Sequence, residues 1–351
     1  MKKNFIITVN NFMRKVVVAL IFIIISLLLF NLGIVKNTFN AMAREAVFME
    51  KRQEFSDIIF PKNSEVICML TNSQGKNISI AKDNKKSQKE IENEKTEVEK
   101  TENEPANVDF SKEKSSISVV NNNIIVSNAA KKSFDINSIL SLPLQFKKTD
   151  GYKVLIIHTH TTESYMPDDR NNNPEKNITR VGEEFAHVLN EKGIKTLHEK
   201  TVHDVPYSKS YINEQKSIEK ILAEHPSIEV IIDVHRDALY NSKNEKIKPV
   251  TTINGKKVAQ VMLVCGTDAM GLPHNNWKSC FSFALKLQND MNKNYPNFAR
   301  PVNLREERFN THMTANSVIF EIGANGNTLE EAVLAGHYAA LSIANVLNSG
   351  K

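Results

Sequence analysis

Three short apolar runs that end on a histidine or a glutamate constrain the fold of this chain most. Residues 154–163 read VLIIHTHTTE, residues 230–235 read VIIDVH, and residues 317–321 read SVIFE. Short apolar runs of this kind are typical of strands in an open parallel α/β sheet. Ligands bind beyond the carboxyl ends of the strands in such sheets, so the polar residues that close the three runs are expected to converge.

Helical periodicity recurs between and after these runs, in residues 180–192, 211–223, 276–292 and 328–347. Thr328 and Glu331 have the spacing of a capping box at the start of the last helix. Asn254 and Gly255 predict a hairpin turn, and residues 258–265 after it are apolar enough to form a central strand. The alternation of strands and helices predicts an α/β fold with a mainly parallel twisted sheet flanked by helices.

The amino-terminal part predicts a membrane protein. Residues 16–35 are uncharged, mostly Leu, Ile, Val and Phe, and long enough to span a bilayer as a helix. A cleaved signal peptide is the alternative, but its apolar core usually has only about 7–15 residues. Basic residues are more frequent before the run than after it, which predicts residues 1–15 as a cytoplasmic tail. We therefore expect a single-pass anchor in the cell membrane, with the rest of the chain outside the cytoplasm.

Residues 36–150 are predicted to be an extracytoplasmic juxtamembrane segment and a low-complexity linker. Within them, residues 73–116 are rich in Lys, Glu, Asn and Ser and poor in large apolar side chains. Such a stretch cannot bury enough apolar surface to offset its chain entropy, which predicts a disordered tether. The folded domain is expected over residues 151–351.

Charge and cysteine content exclude several classes of protein. Lys and Arg number 45 against 40 Asp and Glu, and the basic residues are dispersed rather than interleaved with aromatic residues. This pattern argues against a nucleic-acid-binding protein. The 3 cysteines form no C-x-x-C motif, so the sequence supports neither a disulfide framework nor a thiolate zinc site.

The residues at the ends of the apolar runs fit a catalytic zinc site. Such a site keeps three protein ligands, and histidine and carboxylate side chains are among those that zinc prefers. His160 and His235 are the first two predicted ligands, and Glu163 is the third because it follows His160 by three residues. Glu175, just before the first predicted helix, is the alternative third ligand. Zn2+ is therefore the predicted cofactor.

Glu321 is the predicted general base, because a carboxylate beside a catalytic zinc can take a proton from water, and a buried acid without a task is costly. Arg236 is predicted to polarise a substrate carbonyl or to bind a substrate carboxylate. Asp233 or Asp237 is expected to orient a ligand histidine. His158, which alternates with His160, is expected to be a buried supporting residue.

Several of these motifs resemble the stage II sporulation protein P (SpoIIP) family. The residues that carry the resemblance are HTHTTESY at 158–165, Val181 with Gly182, DVHRDA at 233–238, FEIG at 320–323, and Asn327 with Thr328. The resemblance extends in order over residues 151–347. The combination of the first and third motifs is specific to this family.

The resemblance implies a zinc-dependent peptidoglycan hydrolase that acts in engulfment during endospore formation. It implies cleavage of the amide between N-acetylmuramic acid and L-alanine, endopeptidase activity on peptide cross-links, and a fold similar to that of the N-acetylmuramoyl-L-alanine amidases. Residues 151–351 would then be the amidase domain, with His160 and His235 as ligands and Glu321 as the catalytic acid and base. The amidases have their ligand glutamate where Glu175 falls, whereas the motif of the sporulation family offers Glu163.

The resemblance also implies partners, namely peptidoglycan, a SpoIID-like lytic transglycosylase and a SpoIIM-like membrane protein. An alternative function is a non-catalytic peptidoglycan-binding scaffold of the engulfment complex. The presence of His160, His235 and Glu321 argues against the scaffold, because binding glycan requires no base beside a metal. A different zinc hydrolase, such as a carboxypeptidase or a phosphoesterase, would use the same ligands and would differ in its products.

Overall fold

The computed structural model describes residues 105–109, 117–121, 123–144, 146 and 150–349. The predicted tail, the predicted anchor and most of the predicted linker lie outside these ranges.

The predicted localisation in the cell membrane is wrong, because no helix in the described ranges is long and apolar enough to cross a membrane. The longest of these helices, Leu329–Ser349, has Glu330 and Glu331 in its first turn and buries its alanine-rich side in the protein core. The expectation of an anchor came from residues 16–35, which the structure does not describe.

The described part of the chain contains eleven strands and five α-helices. The strands are β1 (Ala106–Val108), β2 (Ile117–Asn121), β3 (Ile124–Asn128), β4 (Val154–Ile157), β5 (Thr196–His198), β6 (Val230–Asp237), β7 (Ile247–Ile253), β8 (Lys256–Ala259), β9 (Val261–Cys265), β10 (Val302–Leu304) and β11 (Asn316–Ala324). The helices are α1 (Ile136–Leu140), α2 (Ile178–Glu191), α3 (Ser210–Glu224), α4 (Trp277–Asn294) and α5 (Leu329–Ser349). The sequence predicted α2 to α5 with ends within two residues of those observed.

The main sheet has eight strands in the order β2-β3-β10-β9-β11-β6-β4-β5. The predicted α/β class is confirmed, but the sheet is mixed, because β9 runs antiparallel to β11 and β2 antiparallel to β3. No helix lies between β6 and β9, and an antiparallel strand needs no helical crossover. The strands β2 and β3 precede residue 151 and extend the same sheet, while the predicted division into domains stays a prediction.

The apolar run of β4 is continuous because both faces of the sheet are covered. Val154 and Ile156 pack into the large core that α2, α4 and α5 share. Leu155 and Ile157 point to the opposite face and pack against α3. Side chains alternate between the faces of a strand, so burial on both faces requires an apolar residue at every position.

The predicted hairpin joins β7 and β8 in a second, three-stranded sheet with the order β1-β7-β8. Asn254 and Gly255 both have positive φ, as a two-residue type I′ turn requires. The apolar arm after the turn is not one strand, as predicted, but two. It divides at Gln260, so that β8 stays in the small sheet and β9 enters the centre of the main sheet.

A bulge in β11 after Glu321 explains the glycine at position 323. Gly323 has a φ of +64°, and a Cβ atom there would lie 2.6 Å from Oδ1 of Asn327 and 2.8 Å from Cβ of Ala259. The same Oδ1 of Asn327 accepts the backbone N–H of Ala324 at 2.9 Å. Position 323 therefore requires glycine for both its backbone conformation and its surroundings.

The substitution Gly323→Ala is expected to destabilise the fold by about 2–5 kcal/mol, since it adds steric overlap to a positive φ. Gly193→Ala is the matched control, because Gly193 has a φ of +76° and nothing within 4 Å of its Cβ position. It should cost only about 1–2 kcal/mol. Urea unfolding measures both values, and equal losses would contradict the close packing at position 323.

Candidate metal centre

His160, Glu163 and His235 come together at the carboxyl ends of β4 and β6, which are neighbouring parallel strands. Each residue offers a ligand atom within 4.8 Å of the others, and all three residues are buried. Within the described part of the chain, no second group of three His, Cys, Asp or Glu residues meets this test. The structure thus brings together the three residues that were predicted as ligands, and the metal itself stays a prediction.

A turn after β4 directs His160 and Glu163 to the same side. The backbone N–H of Glu163 donates to the carbonyl of His160 at 3.0 Å, and the carbonyl of Glu163 accepts the N–H of Ile178 at 2.8 Å. The carboxylate reaches β6, where its Oε2 accepts the backbone N–H of Arg236 at 3.1 Å. Glu163 is therefore fixed through both its main chain and its side chain.

The ring of His235 is held between two carboxylates. Its Nε2 lies 2.7 Å from Oδ2 of Asp233, and its Nδ1 lies 3.4 Å from Oε2 of Glu163. Burial alone would lower the pKa of His235, but the charges of Asp233 and Glu163 outweigh it and raise the pKa well above its ordinary value. A metal ion would therefore compete with a proton for Nδ1. Asp233 has the position predicted for an orienting residue, whereas Asp237 pairs with Arg300 at 3.0 Å.

His160 is packed among aromatic rings. It stacks on Tyr207 with centroids 4.4 Å apart and meets Tyr211 edge to face at 5.7 Å. The guanidinium of Arg170 lies 4.5 Å from the centroid of the Tyr207 ring and donates to the buried Asp204 at 2.8 Å. Sequence reasoning missed these residues, because they follow no ligand spacing and come from segments that flank the site only in the folded chain.

Glu321 lies on β11 directly beside His235 in the register of the two parallel strands. It is 1% exposed and is not a member of the three-ligand group. The hydroxyl of Tyr165 donates to the carbonyl of Ile322 at 2.9 Å. Burial raises the pKa of Tyr165 well above its ordinary value, and the charges of Glu163 and Glu321 add to this effect against the opposing charge of Arg236. Tyr165 thus stays protonated and donates its hydrogen bond to Ile322.

The two possible third ligands differ in position. Glu175 is exposed on a short 3-10 helix, Pro174–Lys176, and lies outside the group that Glu163 completes. The geometry therefore favours Glu163.

Arg236 is bound to the loop that follows β4. Its Nε donates to the carbonyl of Ser164 at 2.9 Å, and its Nη2 donates to the carbonyl of Asp169 at 2.7 Å. The N–H of Met166 in the same loop donates to the carbonyl of Asn327 at 3.0 Å. These bonds make Arg236 an anchor of the loop, and its predicted contact with substrate stays a prediction.

His158 is buried next to the site and forms a hydrogen bond with His198. Its Nδ1 lies 2.9 Å from the carbonyl of Val234, so this nitrogen carries the proton. Its Nε2 then accepts from Nε2 of His198 at 2.8 Å. A Cβ atom at Gly182 would lie 2.6 Å from both Nε2 atoms, which explains the glycine in this part of α2. His158 is thus a buried supporting residue in the structure.

The match to a family model decides the affiliation of the chain. The model described as "Stage II sporulation protein P (SpoIIP)" matches residues 38–344, which is most of the 351 residues. The chain belongs to the stage II sporulation protein P family. Stage II sporulation protein P of Bacillus subtilis (strain 168) is 30% identical to it over 215 residues, which are 55% of this chain and 51% of that protein. The chain thus spans about half the length of that family member.

The chain is also weakly similar to solved structures, among them two amidases. N-acetylmuramoyl-L-alanine amidase AmiC2 of Nostoc punctiforme is 11% identical, with a TM-score of 0.35, and the match covers 57% of this chain and 98% of that one. The CwlD amidase from Clostridioides difficile, in complex with the GerS lipoprotein, is 10% identical, with a TM-score of 0.37 and coverage of 56% and 98%. At these values the likeness is too low to argue from.

The stability of the metal-free protein is expected to fall as the pH drops from about 6.5 towards 4. Burial lowers the pKa of His158 to about 4 and that of His198 to about 2, whereas both would titrate near 6.5 in the unfolded chain. Below pH 6.5 the unfolded state therefore binds more protons than the folded state. The contribution of the two histidines to the free energy of unfolding is present above pH 6.5 and is lost below it.

His198→Gln keeps a donor for Nε2 of His158 but removes one titrating ring. Its loss of stability between pH 7 and 4.5 should be smaller than that of the wild type by about 2 kcal/mol. His187→Gln is the control, because His187 is exposed, and it should follow the wild type. Urea unfolding at each pH, with a chelator present, measures the difference, and a slope unchanged in His198→Gln would refute the assignment.

Proposed function

We propose that the chain is a zinc-dependent peptidoglycan hydrolase that cleaves the amide bond between N-acetylmuramic acid and L-alanine. The observation that carries the proposal is the buried group of His160, Glu163 and His235, with Glu321 on the adjacent strand. Membership of a sporulation family supports a function in sporulation. The resemblance of the motifs implies a peptidoglycan hydrolase and so supports peptidoglycan as the substrate.

The three side chains suit zinc in number and type, and one of their separations matches its geometry. Two imidazoles and one carboxylate leave the fourth position of a tetrahedral site open, as catalytic zinc requires. With bonds of about 2.1 Å, tetrahedral ligand atoms lie about 3.4 Å apart. Nδ1 of His235 and Oε2 of Glu163 are 3.4 Å apart. The carboxylate of Asp233 on the other nitrogen of His235 is the kind of outer contact that accompanies metal-binding histidines.

The proposed reaction assigns the proton transfers to Glu321. Its carboxylate accepts a proton from the attacking water and delivers a proton to the nitrogen of the leaving amine. The carbonyl C–N bond breaks as the C–O bond to the water oxygen forms, which leaves a carboxyl group on the muramic acid and a free amino group on L-alanine. A bound zinc ion would supply the Lewis acid that polarises the carbonyl and lowers the pKa of water.

The proposal extends to peptide cross-links and to engulfment during endospore formation, which the family motifs imply. No feature of the described residues indicates binding to the transglycosylase or to the membrane protein, so these two partners stay predictions. Peptidoglycan is the partner that the proposed reaction requires.

Digestion of purified peptidoglycan by the full chain tests the proposal, with the products identified by mass. Stem peptides with a free amino-terminal L-alanine should appear with zinc and not with a chelator. Glu321→Gln should lower the rate by about 10²–10⁴-fold while zinc still binds, since it removes the base and no ligand.

Glu163→Gln and Glu175→Gln make the same chemical change at the two possible third ligands. The first should weaken zinc binding by more than about 100-fold, because loss of an outer-shell contact alone costs about 10–100-fold. The second should bind zinc and cleave like the wild type. If the wild type binds peptidoglycan but releases no product, the scaffold function is correct and the enzymatic function is wrong. Release of a terminal amino acid would instead indicate a carboxypeptidase.

A further inference from the structure

A buried chain of polar groups connects the metal centre to α3. Oγ1 of Thr159 lies 2.7 Å from Oδ2 of Asp233 and 2.6 Å from Oε2 of Glu214. The same Oδ2 of Asp233 lies 2.7 Å from Nε2 of His235. Thr159, Glu214, Asp233 and His235 are each 6% exposed or less. Glu214 has no place in the reaction proposed above, so its burial there calls for another explanation.

The proton count in this chain requires one neutral carboxyl group. A threonine hydroxyl has a single proton, so Thr159 can donate to only one of the two carboxyl oxygens beside it. The second contact is a hydrogen bond only if that carboxyl group itself carries a proton and donates it to Thr159. Without this proton, two oxygen atoms would face each other in a buried site with no hydrogen between them.

The neighbours of the two carboxyl groups decide which one is neutral. Asp233 also accepts the backbone N–H of Thr159 at 2.9 Å and faces a ring nitrogen of His235, so donors surround it. Glu214 has the amide of Asn310, which donates to Oε2 at 2.7 Å. The proton therefore belongs to Glu214.

We propose that Glu214 is a positioning residue of the metal centre, whose neutral carboxyl donates to Thr159 and so directs the hydroxyl proton of Thr159 to Asp233. Asp233 in turn fixes the proton of His235 on Nε2, which leaves Nδ1 for the metal. The positioning role rests on the proposed zinc function, whereas the neutral state of Glu214 does not.

The chemistry of position 214 agrees with a carboxylic acid in particular. Oε2 of Glu214 meets a donor, the amide of Asn310, and an oxygen that needs a proton, Oγ1 of Thr159. A carboxyl O–H accepts from the first and donates to the second, whereas an amide nitrogen only donates and an amide oxygen only accepts. Burial raises the pKa of Glu214 to about 8, and the charge of Asp233 adds to this against the effect of the hydrogen bonds that Glu214 shares with Thr159 and Asn310.

Infrared spectroscopy of the zinc-free full chain at neutral pH tests the neutral state. The difference spectrum between the wild type and Glu214→Gln should show the C=O stretch of a protonated carboxylic acid in the wild type alone. Glu331→Gln is the matched control, because Glu331 is a buried carboxylate paired with Lys248 at 3.1 Å. Its difference spectrum should show carboxylate bands only.

Zinc affinity, measured by competition with a chelator, tests the positioning role. Glu214→Gln and Thr159→Val should weaken binding by about 10–100-fold, the range for outer contacts of metal ligands. Thr159→Ser keeps the hydroxyl and should bind zinc like the wild type, as should Glu331→Gln. Circular dichroism of each variant separates a loss of fold from a loss of affinity. Thr159→Val replaces only the hydroxyl, by a methyl group, whereas Thr159→Ser removes only the methyl group.

The outcomes distinguish the two proposals. If the wild type lacks the C=O band of a protonated carboxylic acid, Glu214 does not carry the proton and the inference is overturned. An acid band together with full zinc affinity in Glu214→Gln and Thr159→Val overturns the positioning role. A wild type that binds no zinc overturns the proposed function, and the infrared band alone then decides the state of Glu214.

Discussion

The carboxylate of Asp233 is the contact on which the geometry of the centre depends. It accepts both the backbone N–H and the hydroxyl of Thr159, and it lies 2.7 Å from the ring of His235. Thr159 precedes His160 in the chain, so one side chain of β6 sets the positions of both histidines. A buried charge is costly unless it is paired and hydrogen-bonded, and Asp233 has two hydrogen bonds from Thr159 and an ion-pair contact with His235. The centre is therefore a consequence of the pairing of β4 with β6.

The third strand adds Glu321 to this pair. Parallel pairing of β11 with β6 places Glu321 beside His235, and the bulge that follows lets the chain leave the sheet through Gly323. Asn327 fills the space that a side chain at position 323 would need and bonds Ala324 and Glu331, which caps α5. A carboxylate on a central strand with this support is held more accurately than one on a loop.

The sequence predicted the parts of this arrangement that follow from regular structure. Apolar runs that end on His or Glu predicted strands β4, β6 and β11, and parallel pairing then predicted that their ends converge. The capping box at Thr328 and the turn at Asn254 were also predictable, because each depends on neighbouring residues alone. The division of the arm at Gln260 was not predictable, since it depends on which sheet each half joins. Tyr207, Asp204 and Glu214 lie far from the ligands in sequence, and no local pattern indicates that the fold brings them to the centre.

The bonds that hold residues 164–169 have a consequence for binding. Arg236 bonds the carbonyls of Ser164 and Asp169, and the carbonyl of Asn327 bonds Met166. The conformational entropy of this segment is thus lost when the chain folds rather than when substrate arrives. Because the segment is already ordered before binding, less of the free energy of the substrate contacts is offset by ordering it, and the affinity is higher. Peptidoglycan, the substrate proposed above, is a continuous network, so it is relevant that this segment does not have to close over the substrate before the site is complete.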